Sequence, residues 1–141
     1  MAEVRVVAPT VTLVCASIET CDRVEAPAQV VVMRIAPREV LLVGEVDVGA
    51  VRASFGDAAV FVDDVSDGWT AFVIEGDDAP DVFARLSELE LPPEGWIQGD
   101  VARTAAKVIV EPGRLTMVVP SMLAAHVEER IRIDAAEVLS P

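Results

Sequence analysis

Residues 4–15 are rich in valine and threonine, a composition of extended backbone, and the next dozen residues lose clear periodicity around Pro27. The pattern therefore predicts an N-terminal extended segment over 1–28, followed by a single α+β domain over 29–141. QVVVMRIA (29–36) and EVLLVG (39–44) are β-branched runs separated by a turn at Pro37, the pattern of a hairpin. Asp47 is placed to cap a short helix with Val48, Val51, Arg52 and Phe55 on one face, ended by Gly56. AAVFVDDV (58–65) and GWTAFVIE (68–75) read as a second pair of strands turning at Ser66, Asp67 and Gly68. Both faces of the second run are apolar, Trp69, Ala71 and Val73 against Phe72 and Ile74, which predicts a central strand covered on two sides.

Beyond Asp78 the period changes from two to about 3.6. Ala79, Val82, Phe83, Leu86 and Leu89 recur at helical spacing as far as Glu90. LPPEGWIQGD (91–100), with two prolines and two glycines around Trp96, reads as a loop. In VARTAAKVIV (101–110), alternation places Ala102, Thr104, Ala106, Val108 and Val110 on one side of a strand and Arg103 with Lys107 on the other. EPGR turns the chain into LTMVVP, and Pro120 with Ser121 opens a last helix carrying Leu123, Val127 and Ile131 in line. The sum is an α+β fold, a largely antiparallel sheet with helices on one face, in which strand-pair-then-helix occurs three times and residues 68–133 read βαββα. Trp69, Phe72, Val82, Phe83, Leu86 and Met117 are the expected core.

Composition narrows the function classes. The 141 residues are 52% hydrophobic, enough for a core without disulfides or a structural metal. The net charge of -13, from 24 acidic and 11 basic residues, and the scatter of the basic residues exclude a nucleic-acid surface. No run approaches the roughly 18 apolar residues that span a membrane, and the N-terminus lacks the features of a signal peptide. Cys15 and Cys21 match neither a redox nor a zinc spacing, so they are expected as reduced thiols in the cytoplasm.

Candidate chemistry is sparse. His126 is the single histidine and has no identifiable nucleophile or acid partner in the sequence. The pairs Asp63–Asp64 and Asp77–Asp78 lack the alternating oxygen ligands of a calcium loop and read as turn and cap residues. There is no glycine-rich phosphate loop and no nucleophile elbow. No catalytic or metal residue is assigned. Trp96 reads as either core or an interface anchor. Arg103 and Lys107 read as either a solvated sheet face or a docking face for an acidic partner or a carboxylate ligand, which makes all three candidate interface residues.

MRIAPREVLLVG, AVFVDDVSDGWTAFVIEGDDAPDVFARLSELELPPE, GDVARTAAKVIVE and RLTMVVPSMLAAHVEERI, in this order, resemble the gamma (small) subunit family of heterotetrameric sarcosine oxidase, related to the folate-binding domains of the glycine cleavage T-protein type. The resemblance covers about residues 30–133. It departs from the family at Val40, where an aromatic is usual, and at Met33 or Arg34, where a tryptophan is frequent. The resemblance implies an accessory subunit that binds no cofactor alone and packs against larger oxidoreductase subunits, with flavin and tetrahydrofolate on those partners. Two other readings stay open: a free-standing folate or small-ligand domain using Trp69 or Trp96 with Arg103, and a self-associating structural protein.

Overall fold

A computed structural model describes all 141 residues. Its elements are β1 (Glu3–Val7), β2 (Val11–Cys15), α1 (Ile18–Cys21), β3 (Val31–Ala36), β4 (Glu39–Val43), α2 (Val48–Ser54), β5 (Phe61–Asp64), β6 (Trp69–Glu75), α3 (Ala79–Ala84), β7 (Gly95–Val101), β8 (Thr104–Glu111), β9 (Arg114–Pro120) and α4 (Ala124–Asp134). They form two compact units: Pro9–Ser66, and Met1–Ala8 together with Asp67–Pro141. The α+β class with antiparallel sheets is as expected. The division at residue 28 is not where the units divide, because residues 1–28 hold strands of both sheets and the helical turn α1.

The first of these units carries a four-stranded antiparallel sheet in the order β3-β4-β2-β5. The β3–β4 hairpin turns at Pro37 and Arg38, with Met33 opposite Leu41. Val14, Val40, Leu42 and Val62 fill one face of this sheet, and Val48, Val51 and Phe55 pack against them. Asp47 caps α2 as its position predicts, its carboxylate accepting from the Ala50 amide at 3.0 Å. Arg52 donates to the Val62 carbonyl at 2.6 Å and so ties α2 to β5.

The second unit carries a five-stranded antiparallel sheet in the order β1-β6-β9-β8-β7. β6 lies inside it, between β1 and β9. Phe72, Ile74, Val108, Val110, Leu115, Met117 and Val119 line one face, where Val82, Phe83 and Leu86 from α3 and its end meet Val127 and Ile131 from α4. Ala71, Val73, Ile109 and Val118, on the opposite face, are buried as well. Trp69, expected in the core with these residues, is only half-buried. Leu123, expected in line with Val127 and Ile131, sits in a 3-10 turn ahead of α4 and is exposed.

Several boundaries differ from the sequence reading, each for a physical reason. The extended stretch 4–15 is two strands, broken around Pro9, which pair in different sheets. β5 and β6 are likewise not a hairpin: β5 pairs with β2, while β6 pairs with β1 and β9. Side-chain bonding at the end of β5 stops that strand. Asp64 accepts from the Ser66 amide at 2.9 Å and its hydroxyl at 2.5 Å, and the Ser66 hydroxyl in turn accepts from the Val11 amide at 2.8 Å. The helix expected over 78–90 ends at Ala84. There the Leu86 and Ser87 amides both return to the Phe83 carbonyl, and Ser87 Oγ donates to the Asp100 carbonyl at 2.7 Å, which ties the following residues to β7. Asp78 stands at the N-cap position without capping; its carboxylate faces the Met1 ammonium at 3.3 Å.

Trp96 does not lie in a loop. Gly95, Trp96 and Gly99 all belong to β7, an edge strand paired with β8. At Gly99 a Cβ would come within 2.6 Å of Leu89 Cδ1, so the absent side chain is what lets Leu89 lie against the strand in this position.

Candidate functional site

The two-residue connection between β7 and β8 is Ala102 and Arg103, with φ of 50° and 62°. Both are left-handed, as in a type I′ hairpin turn, where Asn-Gly is the favoured pair because L side chains cost about 1–2 kcal/mol each in that region. Two hydrogen bonds fix Ala102: its amide donates to the Leu86 carbonyl at 2.8 Å, and its carbonyl lies 2.9 Å from His126 Nε2. A carbonyl only accepts, so Nε2 carries the proton in this contact. The Ala102 methyl belongs to the core of the five-stranded unit. Arg103 stands exposed at the tip.

This turn forms one wall of a cleft of ≈ 730 Å³ lined by Leu86, Ser87, Leu89, Arg103, His126 and Arg130 among others. Arg130 is bound to Asp134 at 2.5 Å and Arg85, also in the lining, to Glu137 at 3.4 Å. Arg103 makes no ion pair, nor do Glu88 and Asp100, which share the cleft. Such a cleft can receive a carboxylate at one wall and a base at another.

Arg103 and Lys107 were expected to share one face of a strand, and the structure separates them. The strand begins only at Thr104, so Arg103 belongs to the turn while Lys107 lies within β8. Lys107 Nζ sits 5.0 Å from the centroid of the Trp69 ring. Trp96 is half-buried and shares that sheet face, because Trp96 pairs with Ile109 and Gln98 with Lys107. The three candidate interface residues thus fall into two places: Arg103 in the cleft, and Trp96 with Lys107 on the sheet.

Burial pushes the Lys107 ammonium below its ordinary value. The sign follows directly. Below its folded pKa the native state bears the full cost of the half-buried charge, and as pH rises toward the unfolded value of about 10.4 the native state releases its proton first and gains relative stability. The stability of Lys107→Met relative to the wild type is therefore expected to fall as pH rises toward the unfolded value of about 10.4. Urea denaturation at several pH values measures this, and a difference that is flat with pH would contradict it.

The remaining candidate groups are structural. Hydrogen bonds from the Ser66 hydroxyl, then from its amide, hold the Asp64 carboxyl below the usual range, as expected of a turn residue. Cys15 and Cys21 are free thiols, and burial, then Glu39 and Cys21, push Cys15 upward, which suppresses the thiolate. No three His, Cys, Asp or Glu side chains come together as a metal set. His126 is the residue whose role sequence reasoning missed. Its partner is a backbone carbonyl, and no residue type advertises that.

The architecture defines a class: two antiparallel α+β units in one chain, with a polar cleft at a hairpin tip of the larger. No protein-family model matches the chain, and comparison with curated proteins gives no match either. Among solved structures the chain is similar to the heterotetrameric sarcosine oxidase from Corynebacterium sp. U-96, in complex with pyrrole 2-carboxylate. The TM-score is 0.78, with 18% sequence identity over 96% of this chain and 84% of that chain. At that identity the likeness is one of fold. The ligand-free regulatory subunit of aspartate kinase from Thermus thermophilus matches at 8% identity and a TM-score of 0.46, covering 93% of this chain and 95% of that chain, too loosely to bear on function.

Proposed function

We propose that this chain is a small accessory subunit of a heteromeric, flavin-dependent amine oxidoreductase of the sarcosine oxidase type. The observation that carries the reading is the fold shared with a chain of a heterotetrameric enzyme over 96% of the sequence. The sequence motifs that resemble the gamma subunit family support it from a second side. In this reading the larger partner subunits hold flavin and tetrahydrofolate and perform the oxidative demethylation, and the assembly works in the cytoplasm. No helix of the chain is long and apolar enough to cross a membrane.

The motifs fall at the corners of the fold. PREVLLVG spans the turn at Pro37 and Arg38 and ends at Gly44, whose φ is +133°. DVS contains the Asp64–Ser66 bonds that end β5, and ART begins with the left-handed pair Ala102 and Arg103. The VPS stretch closes β9, where Ser121 Oγ lies 3.0 Å from Thr70 Oγ1. Residues fixed by backbone geometry speak for kinship of fold, while the substrate amine is left to the partner subunits. The free-standing folate-binding reading has less support, since neither Trp69 nor Trp96 lines the cleft with Arg103.

Co-expression with the products of the flanking genes tests the proposal. The expected result is co-elution of this chain with a flavin-bearing species on size exclusion, with the flavin seen by its visible absorbance. Elution of this 15.0 kDa chain apart from those subunits would overturn it.

A further inference from the structure

We infer that the cleft beside the β7–β8 turn is a docking surface for a partner polypeptide, in which Arg103 receives a single carboxylate side chain of that partner. The inference rests on the subunit reading above and names a surface through which it would act. Three independent features lead to it.

The first is the turn itself. Asn-Gly would relax the left-handed backbone, yet Ala-Arg stands there, held by the Leu86 carbonyl and by His126. Strain that persists because its surroundings enforce it is concentrated at functional sites. The core accounts for Ala102, which leaves the guanidinium at the tip as the feature that packing does not explain.

The second is charge. Arg85 and Arg130, on the neighbouring walls, are occupied by Glu137 and Asp134, while Arg103 has no carboxylate partner in a chain with 24 acidic residues. A planar guanidinium presented in this way matches a carboxylate in a two-point contact.

The third is the kind of cleft. Charged and polar groups dominate its lining, whereas small-molecule sites are mostly apolar, and an exposed arginine beside a concavity is a typical anchor between proteins. Glu88 and Asp100 stand in the same cleft, and the chain carries -13 overall, so a polyanionic segment would be repelled. The fitting occupant is a segment with one acidic residue and a basic residue close by.

The test uses the assembled complex, obtained by co-expression and followed by mass photometry across a dilution series. Arg103→Ala is expected to weaken association at least about tenfold, the effect of losing one charge-assisted pair. The variant Arg103→Gly keeps Ala102 in the core and relaxes the turn at its exposed position, so it is expected to melt higher than the wild type and still associate as poorly as Arg103→Ala. A residue that only shaped the turn would not give that combination. Arg132→Ala, an exposed α4 cation outside the cleft, is expected to associate like the wild type. Wild-type affinity in both Arg103 variants overturns the inference and leaves the subunit reading standing. If the wild-type chain forms no complex, both fall, and that result is recognised without any variant.

Discussion

Phe72→Ala is expected to lower the stability of the five-stranded unit by about 3–5 kcal/mol, the usual cost of emptying a fully buried phenylalanine site. Phe72 is 0% exposed and pairs with Val6 on one side and Met117 on the other, at the centre of the sheet. It belongs to the same core cluster as Val82, Phe83, Val127 and Ile131. Strands on both sides and helices on this face leave little freedom for the site to collapse, so the void would persist. Urea denaturation followed by tryptophan fluorescence is well suited, since Trp69 and Trp96 both lie in this unit and the chain has no tyrosine. With a denaturant slope of about 1–3 kcal/mol/M, the midpoint should fall by at least about 1 M. A shift below about 0.3 M would mean that the core repacks around the gap.

The elements read correctly from the sequence are those whose signals are local. The β3–β4 hairpin, the Asp47 cap, the two-faced apolar run of β6 and the β8–β9 pair each announce themselves within about ten residues. The missed features depend on distant partners. β1 finds its neighbour in β6, with Glu3 opposite Glu75, so no inspection of residues 1–28 could assign it to that sheet. β7 was hidden by its glycines, which look like loop residues until Leu89 is seen to occupy the space a Cβ at Gly99 would need.

The candidate site shows the same division. Alternation places Arg103 beside Lys107 because Ala102 and Arg103 carry none of the Asn-Gly signal that marks a tight turn, so the sequence pattern is that of a continuous strand. The structure supplies what the sequence lacked: a backbone carbonyl at Leu86 and the imidazole of His126, 16 and 24 residues from Ala102, which together hold the turn. The ion pairs that occupy Arg85 and Arg130 are equally invisible in sequence, although they leave Arg103 as the one guanidinium of the cleft without an ion pair.

Gly44→Ala is expected to destabilise the four-stranded unit by about 2–3 kcal/mol, through strain at a φ that L residues rarely adopt together with a backbone collision. Gly44 follows β4 at φ +133°, and a Cβ there would meet Val30 Cα at 3.1 Å and the Gln29 carbonyl oxygen at 3.2 Å. Unlike Leu89 beside Gly99, these are main-chain atoms and cannot rotate away. The Gly44 amide also donates to the Thr10 carbonyl at 2.9 Å, so relief by moving Gly44 would disturb the entry to β2. Because this unit has no tryptophan, amide hydrogen exchange is the appropriate measurement. The amides of β2, β3 and β4 should lose protection by about 30- to 150-fold, the exchange equivalent of that free energy, where local opening follows global opening. Gly68→Ala, read on the amides of β6 in its own unit, serves as the control, because nothing lies within 4 Å of the Cβ it would add. That substitution should stay within about 0.5 kcal/mol of the wild type. Equal effects at the two glycines would remove the geometric explanation for the glycine that ends PREVLLVG, whereas a loss confined to Gly44 would show that this part of the family-like motif encodes a corner of the fold.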